Sequence, residues 1–274
     1  MISYEQAGVG IVSYELPLRG GIMRRIKLII EYDGTNYNGS QIQTNGHTIQ
    51  EELQQCIERL TGEKVSVLFA GRTDTGVHAL RQVVAFDTGS TIPPERWQYA
   101  LNSVLPDDIK VLQSTEAEAG FHPRFDAVSK TYRYKIYRKP WGQTFWRNYA
   151  YLCTEELDVE AMGQAARRLE GTHDFRSFCA SGSSVKNFER TVLSCRLVEA
   201  EPFLYLDITA NGFLYNMVRI IMGTLLEVGR GSLAPEDMDR ILTARDRSLA
   251  GPTAPPQGLY LMEVHYPEKQ PLGK

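Results

Sequence analysis

No stretch of about 18 uninterrupted apolar residues occurs in the 274-residue chain, so no membrane-spanning helix is predicted. The first 22 residues lack a basic start followed by an apolar block, which argues against a secretory signal; Glu5, Glu15 and Arg19 interrupt them. Cysteine is scarce. The four, Cys56, Cys153, Cys179 and Cys195, show no C-x-x-C spacing, which argues against a structural zinc site. At this length a disulfide framework is not expected either, and the thiols read as reduced and buried in a cytoplasmic protein. The five histidines are scattered with no H-x-x-x-H pair, so no metal centre is expected. There is also no excess of positive charge: the net charge is −3. A protein coated in basic residues is thereby excluded, but a local basic surface is not, because phosphate binding depends on where charges sit.

The remaining composition is that of a globular protein able to bury a core, with 42% hydrophobic and 23% charged residues. Residues 26–32 read as a buried strand, followed by a turn at Asp33-Gly34-Thr35-Asn36. Thr48-Ile49-Gln50-Glu51 has the form of a reciprocal capping box. Behind it Ile49, Leu53, Cys56, Ile57 and Leu60 share a helical face that Gly62 terminates. Strands are expected over 65–70 and 82–87, and a helix near 94–104. The pattern then restarts. Thr131–Arg138 alternates as an aromatic strand. Asp158 caps a helix carrying Met162, Ala165, Ala166 and Leu169, and Gly171 ends it. Residues 193–200 and 203–210 form a hairpin around Glu201-Pro202. A long apolar helix covers 214–228, another begins at Pro235, and Leu259–Tyr266 is a final strand. This order implies an α+β fold of two similar halves, with largely antiparallel sheets, helices packed on one side and a cleft between the halves. The expected divisions are an appendage over 1–22, an N-terminal domain over 23–124 and a C-terminal domain over 125–274.

Three segments carry chemistry. Gly71-Arg72-Thr73-Asp74-Thr75-Gly76 packs two glycines, a cation, a carboxylate and two hydroxyls between strands. Arg72 sets a phosphate-binding group beside Asp74, a potential nucleophile or base. The same letters also suit an ordinary Asp-Thr-Gly turn with a solvated arginine. Asp87-Thr88-Gly89 repeats the triplet, as in aspartic proteases, which need two carboxylates sharing one proton. The two aspartates are 13 residues apart at opposite ends of one expected strand. At about 3.3 Å per residue they cannot meet, so the second triplet reads as a plain turn.

The second segment, His122–Arg147, holds Arg124, Lys130, Arg133, Lys135, Arg138, Lys139 and Arg147 against one acid, Asp126. Tyr132, Tyr134, Tyr137, Trp141, Phe145 and Trp146 are interleaved. Cations for phosphates and aromatic faces for unpaired bases suit RNA, although a strand with a solvated basic face would read the same way. In the third, Arg219 sits inside the apolar run 213–223. A buried guanidinium needs a carboxylate, for which Asp74 is a candidate, unless the side chain snorkels outward. His78, without a Ser, Cys or second ligand beside it, reads as structural.

Together these segments resemble the tRNA pseudouridine synthase A (TruA) family, from about Arg24 to Pro267. The most specific piece is Gly71-Arg72-Thr73-Asp74-x-Gly76-Val77-His78-Ala79. Support comes from Tyr32-Asp33-Gly34-Thr35 with Tyr37-x-Gly39, Lys130-Thr131-Tyr132-Arg133-Tyr134, Asp174-Phe175-x-Ser177-Phe178, Phe213 with Met217-Val218-Arg219, and Thr253-Ala254-Pro255 with Gly258-Leu259. The resemblance implies the pseudouridine synthase fold and a cofactor-free isomerase acting on uridines 38, 39 and 40 of the tRNA anticodon stem–loop. It also implies a homodimer whose subunits jointly grip one tRNA. Asp74 is then the essential aspartate, paired with Arg219. Arg72 helps flip or hold the target nucleotide. Tyr132 lies against the uracil ring as the candidate for removing the C5 proton, with Lys130 and Arg133 as substrate-binding cations. One departure stands in the first loop, where Ser40-Gln41 replaces the family's usual Trp-Gln. The competing expectation is a non-catalytic RNA-binding or chaperone protein on the same scaffold.

Overall fold

In β1 (Arg24–Tyr32) the side chains of Ile26, Leu28, Ile30 and Tyr32 are buried, while their neighbours lie half-exposed. The same two-residue period recurs over Ser129–Tyr137 and Phe203–Ala210, so one face of the sheet is sealed and the other stays partly open to water. A computed structural model of the chain describes residues 23–44, 46–182 and 185–267. The appendage expected over 1–22 lies outside them.

The elements run β1, α1 (Ile49–Thr61), β2 (Leu68–Phe69), β3 (His78–Thr88), α2 (Trp97–Asn102), β4 (Ile109–Ala117), β5 (Ser129–Tyr137), β6 (Tyr151–Leu152), α3 (Val159–Arg167), β7 (Gly171–Asp174), β8 (Glu189–Ala200), β9 (Phe203–Ala210), α4 (Met217–Gly229), α5 (Asp237–Ala244) and β10 (Leu259–His265). Among the described residues the strands form one sheet in the order β4-β1-β3-β10-β5-β9-β8-β7, with β2 on β3 and β6 on β5. Pairing is antiparallel except for β3–β10 and β5–β6. The strands before residue 124 thus lie side by side at one end and those after 125 at the other. They join where β10 runs parallel to β3, with Tyr260 opposite His78 and Leu261 opposite Ala79.

The α+β class and most elements agree with the sequence expectation. The cap of α1 is half of a box: the Thr48 side chain accepts from the Glu51 N–H, but the Glu51 carboxylate turns to His47, 3.3 Å away. Gly62 ends the helix at φ 75°. The helix over 214–228 begins later, at Met217, behind Asn216 in the left-handed region at φ 59°. Strands β4 and β7 were not anticipated. In β4 only Ile109, Val111 and Ser114 point inward, so the apolar alternation lapses after two turns of the pleat. Asp87 lies near the far end of β3, bound by both oxygens to Arg25 at 2.7 and 2.5 Å. Nine residues of extended chain separate it from His78, about 30 Å, so no carboxylate dyad with Asp74 can form.

Candidate active site

The segment linking β2 to β3 carries Asp74, and a second loop clamps it. Gly34 and Gly39 of the loop after β1 lie directly against it. A Cβ on Gly34 would fall 2.0 Å from the Val77 carbonyl oxygen, and one on Gly39, at φ 84°, 2.6 Å from that of Thr73. Only glycine permits this approach. Ser40 fills the position where a tryptophan was expected. It is fully buried; its N–H donates to the Thr73 carbonyl at 3.1 Å and its Oγ accepts from the Thr73 N–H at 2.9 Å. The replacement therefore fastens the loop through hydrogen bonds rather than leaving it loosely packed. Gln82 of β3, also fully buried, meets Gly71 with both amide atoms, donating to its carbonyl at 2.8 Å and accepting from its N–H at 3.3 Å. Tyr32 completes the clamp through a 2.8 Å contact between its hydroxyl and Thr73 Oγ1. The Val77 N–H closes a turn onto the Asp74 carbonyl at 3.1 Å, with Gly76 at φ 75°. None of Ser40, Gln82 or Tyr32 stood out as site residues in the sequence, because their partners lie 33, 11 and 41 residues away along the chain.

Arg219 reaches Asp74 from the first turn of α4. Its Nη1 lies 3.4 Å from Asp74 Oδ2. Two stronger bonds aim the guanidinium: Nε donates to the Ala254 carbonyl at 2.7 Å, and Nη1 to Asn216 Oδ1 at 2.8 Å. The inward arginine thus meets the carboxylate it was expected to meet. Its pull is the lesser influence on that carboxyl. Burial pushes the Asp74 carboxyl above the usual carboxylate range, and the opposing pulls of Arg219 and then Arg72 only partly offset it. The side chain of Asp74 remains 27% exposed. Arg72 itself is exposed at the rim.

Tyr132 arrives from the middle of β5. Its ring meets Phe213 edge-on at 4.9 Å, and a Cβ on Gly71 would lie 3.5 Å from its hydroxyl. The ring is buried, yet the hydroxyl has no hydrogen-bond partner among the described residues. Burial drives its pKa far up, and Tyr32 and Asp74 push in the same direction. At neutral pH it is a protonated phenol with an uncommitted O–H beside a carboxylate. Lys130, two residues earlier on the same face, lays its methylenes against Gly71.

Arg133 does not join them. Strand alternation turns it to the opposite face, where Asp207 holds it at 2.6 and 2.7 Å and its guanidinium lies over Tyr205 at 4.6 Å. Lys135 goes the same way, onto Trp146 and Phe203. Two of the cations read as a basic RNA surface are thus engaged within the protein itself.

A scan of the chain against family models matches one described as tRNA pseudouridine synthase over residues 28–126 and 165–267. Proteins named tRNA pseudouridine synthase A are similar over nearly their whole length. That of Syntrophomonas wolfei is 59% identical, covering 90% of this chain and 99% of the relative. Those of Moorella thermoacetica and Bacillus subtilis are 50% and 48% identical, each covering 88% of this chain and 99% of the relative. This chain belongs to the tRNA pseudouridine synthase family. In this member Asp74 lies in the first matched stretch and Arg219 in the second.

His78, which directly follows the synthase's loop, is a framework residue, as its sequence context suggested. It is 2% exposed and stacks on Tyr260 at 4.7 Å. Burial lowers its pKa against the pull of Asp33, so the ring is neutral. Nδ1 then accepts from the Gly34 N–H at 3.1 Å and Nε2–H donates to the Asn148 carbonyl at 2.9 Å. The 3.1 Å approach of Asp33 to Nδ1 is accordingly not an ion pair. Both Asp33 oxygens are already bonded, Oδ1 to Thr35 and Oδ2 to the Tyr149 hydroxyl.

Proposed function

We propose that this protein isomerises uridine to pseudouridine in tRNA, at positions 38, 39 and 40 of the anticodon stem–loop, and that it works as a homodimer without a cofactor. The observation that carries the reading is the juxtaposition of a 27% exposed Asp74, Arg219 and the unbonded Tyr132 hydroxyl. The names of the relatives support the substrate class. Among the described residues no helix is long and apolar enough to cross a membrane. Trp141 and Phe145 are 83% and 82% exposed, an apolar surface that a second subunit could cover.

The reaction moves one bond and one proton. The C1′–N1 bond of uridine breaks, a C1′–C5 bond forms, C5 loses its proton and N1 gains one, so the product is an isomer. The target base must first leave its stack, at a cost of a few kcal/mol that is smaller in a loop or at a helix end. Arg72 at the rim holds or helps flip that nucleotide. Asp74 starts the cleavage as an anion, whether by attack on the sugar or base or by removing a sugar proton. Tyr132 packs against the uracil. Being protonated, it takes the C5 proton only as it releases its own, and the carboxylate beside it is suited to receive that proton.

The direct test is purified protein on unmodified anticodon-arm transcripts, with pseudouridine read by carbodiimide labelling. Label at the three positions is expected. Binding without label would mean an RNA-binding protein that does no chemistry. The pH profile of kcat/KM should show an acid limb above the ordinary aspartate pKa, because Asp74 must ionise and burial resists that. Arg219→Met removes the main pull toward ionisation, so the limb should move further toward neutral pH. A limb in the same place would detach Arg219 from the charge of Asp74.

A further inference from the structure

Lys130 is 9% exposed, yet its ammonium has no carboxylate within 4.0 Å and no hydrogen bond among the described residues. A buried, unpaired cation is costly, and proteins keep such groups where an anion is to arrive. Its neighbours make the deficit larger. Arg124, in the turn before β5, and Arg190, in β8, are the charged groups that act on it, and both are cations. Neither has a carboxylate within 4.0 Å among the described residues; Arg190 donates only to the carbonyls of Asn187 and Glu189, at 3.1 and 2.5 Å. Arg190 is held in place where β8 leaves β9, by paired 3.0 Å bonds between Thr191 and Asn211.

Glycine lines the space around these cations on two sides. Gly71 faces the Lys130 methylenes and the Tyr132 hydroxyl, and a Cβ on Gly212 would come within 3.3 Å of Arg190 Nε. Side chains there would fill the room that an incoming group needs. Strand register brings the cations together: Lys130 lies opposite Ala210, which lies opposite Val192, two residues from Arg190. The cluster beside the Asp74 loop is therefore rich in N–H donors and has no carboxylate partner among the described residues.

We propose that Lys130, Arg124 and Arg190 form a seat for one backbone phosphodiester of the RNA, adjacent to the target uridine. The seat rests on the reading of the substrate as RNA. A phosphodiester carries one negative charge and two non-bridging oxygens, so it neutralises the site and offers an acceptor to more than one donor. The seat ties recognition to a polynucleotide strand and fixes where the flipped base lies relative to Asp74.

The test is the salt dependence of binding to an anticodon-arm transcript by the full-length protein. Lys130→Met, Arg190→Gln and Arg124→Gln should each weaken binding about tenfold at physiological salt. Each should also reduce the slope of log Kd against log salt by roughly one. Lys64→Met, at an 85% exposed lysine remote in sequence, serves as the control and should leave the slope unchanged. Lys130→Met should also unfold at a temperature no lower than the parent, because it removes an unneutralised buried charge and keeps the volume. If the parent is active and all three variants keep the parental slope, the seat is wrong while the function stands. A destabilised Lys130→Met with the parental slope would likewise assign Lys130 to the framework. A parent that neither binds nor modifies the transcript overturns the RNA reading and the seat together.

Discussion

Asp74→Asn is expected to lower pseudouridine formation by about four orders of magnitude or more while tRNA binding stays within a few-fold of the parent. The amide has nearly the shape of the carboxylate and keeps an oxygen for Arg219, whose bonds to Ala254 and Asn216 are untouched. What disappears is the anion that begins the cleavage of C1′–N1. Tritium release from [5-³H]uridine tRNA measures the loss, and release near the parental rate would remove Asp74 from the chemistry. The same variant should be at least as stable as the parent at neutral pH. A carboxyl whose folded-state pKa is raised favours the fold most while protonated, and that contribution is lost as pH rises through the folded pKa. Above it the ionised group works against folding, and asparagine does not. A higher unfolding midpoint beside a lost activity would be the signature of a residue kept for chemistry at the expense of stability.

Tyr132→Phe is expected to slow turnover by about 10²–10⁴-fold, the usual range for a positioned acid or base, with only a modest change in affinity. The ring contact with Phe213 survives the substitution. The hydroxyl has no partner within the described protein, so its loss breaks no bond and should leave the unfolding midpoint nearly unchanged. The defect should therefore fall on kcat and on release of the C5 proton. Single-turnover tritium release at saturating tRNA separates it from binding. An unchanged rate would leave Tyr132 as packing alone.

The elements that could be read from sequence are those whose signals are local. The face of α1, its Thr48 cap, its Gly62 stop and the alternation of β5 all follow from residues within one or two turns of each other. The loop around Asp74 was legible because its glycines, charges and hydroxyls crowd into six positions. What grips that loop was not. Gln82 and Ser40 make their decisive bonds to backbone atoms 11 and 33 residues away, and a glutamine in a strand or a serine in a loop announces nothing alone. The basic run over 122–147 misled in part because composition carries no direction. Once β5 is paired on both sides, alternate residues face opposite sides of the sheet, and Arg133 parts company with Lys130 and Tyr132. The pull of Arg219 on Asp74 was legible in sign. The larger push from burial was not, since burial belongs to the whole fold.

The position of β10 bears on how the site comes into being. It is the last described strand along the chain, yet it fills the gap between β3 and β5 near the centre of the sheet. The segment leading into it supplies the Ala254 carbonyl that orients Arg219 and the Pro255 carbonyl that receives the Tyr134 hydroxyl at 2.7 Å. During synthesis, every other piece of the site emerges from the ribosome before the strand that joins them. Until β10 arrives, the stretches of β3 and β5 that it covers are unpaired edges, the kind of edge that recruits other chains. A nascent or truncated polypeptide ending before residue 259 would thus hold Asp74 and Tyr132 in separate pieces, inactive and prone to aggregate. Competence to modify RNA is acquired in a single late step.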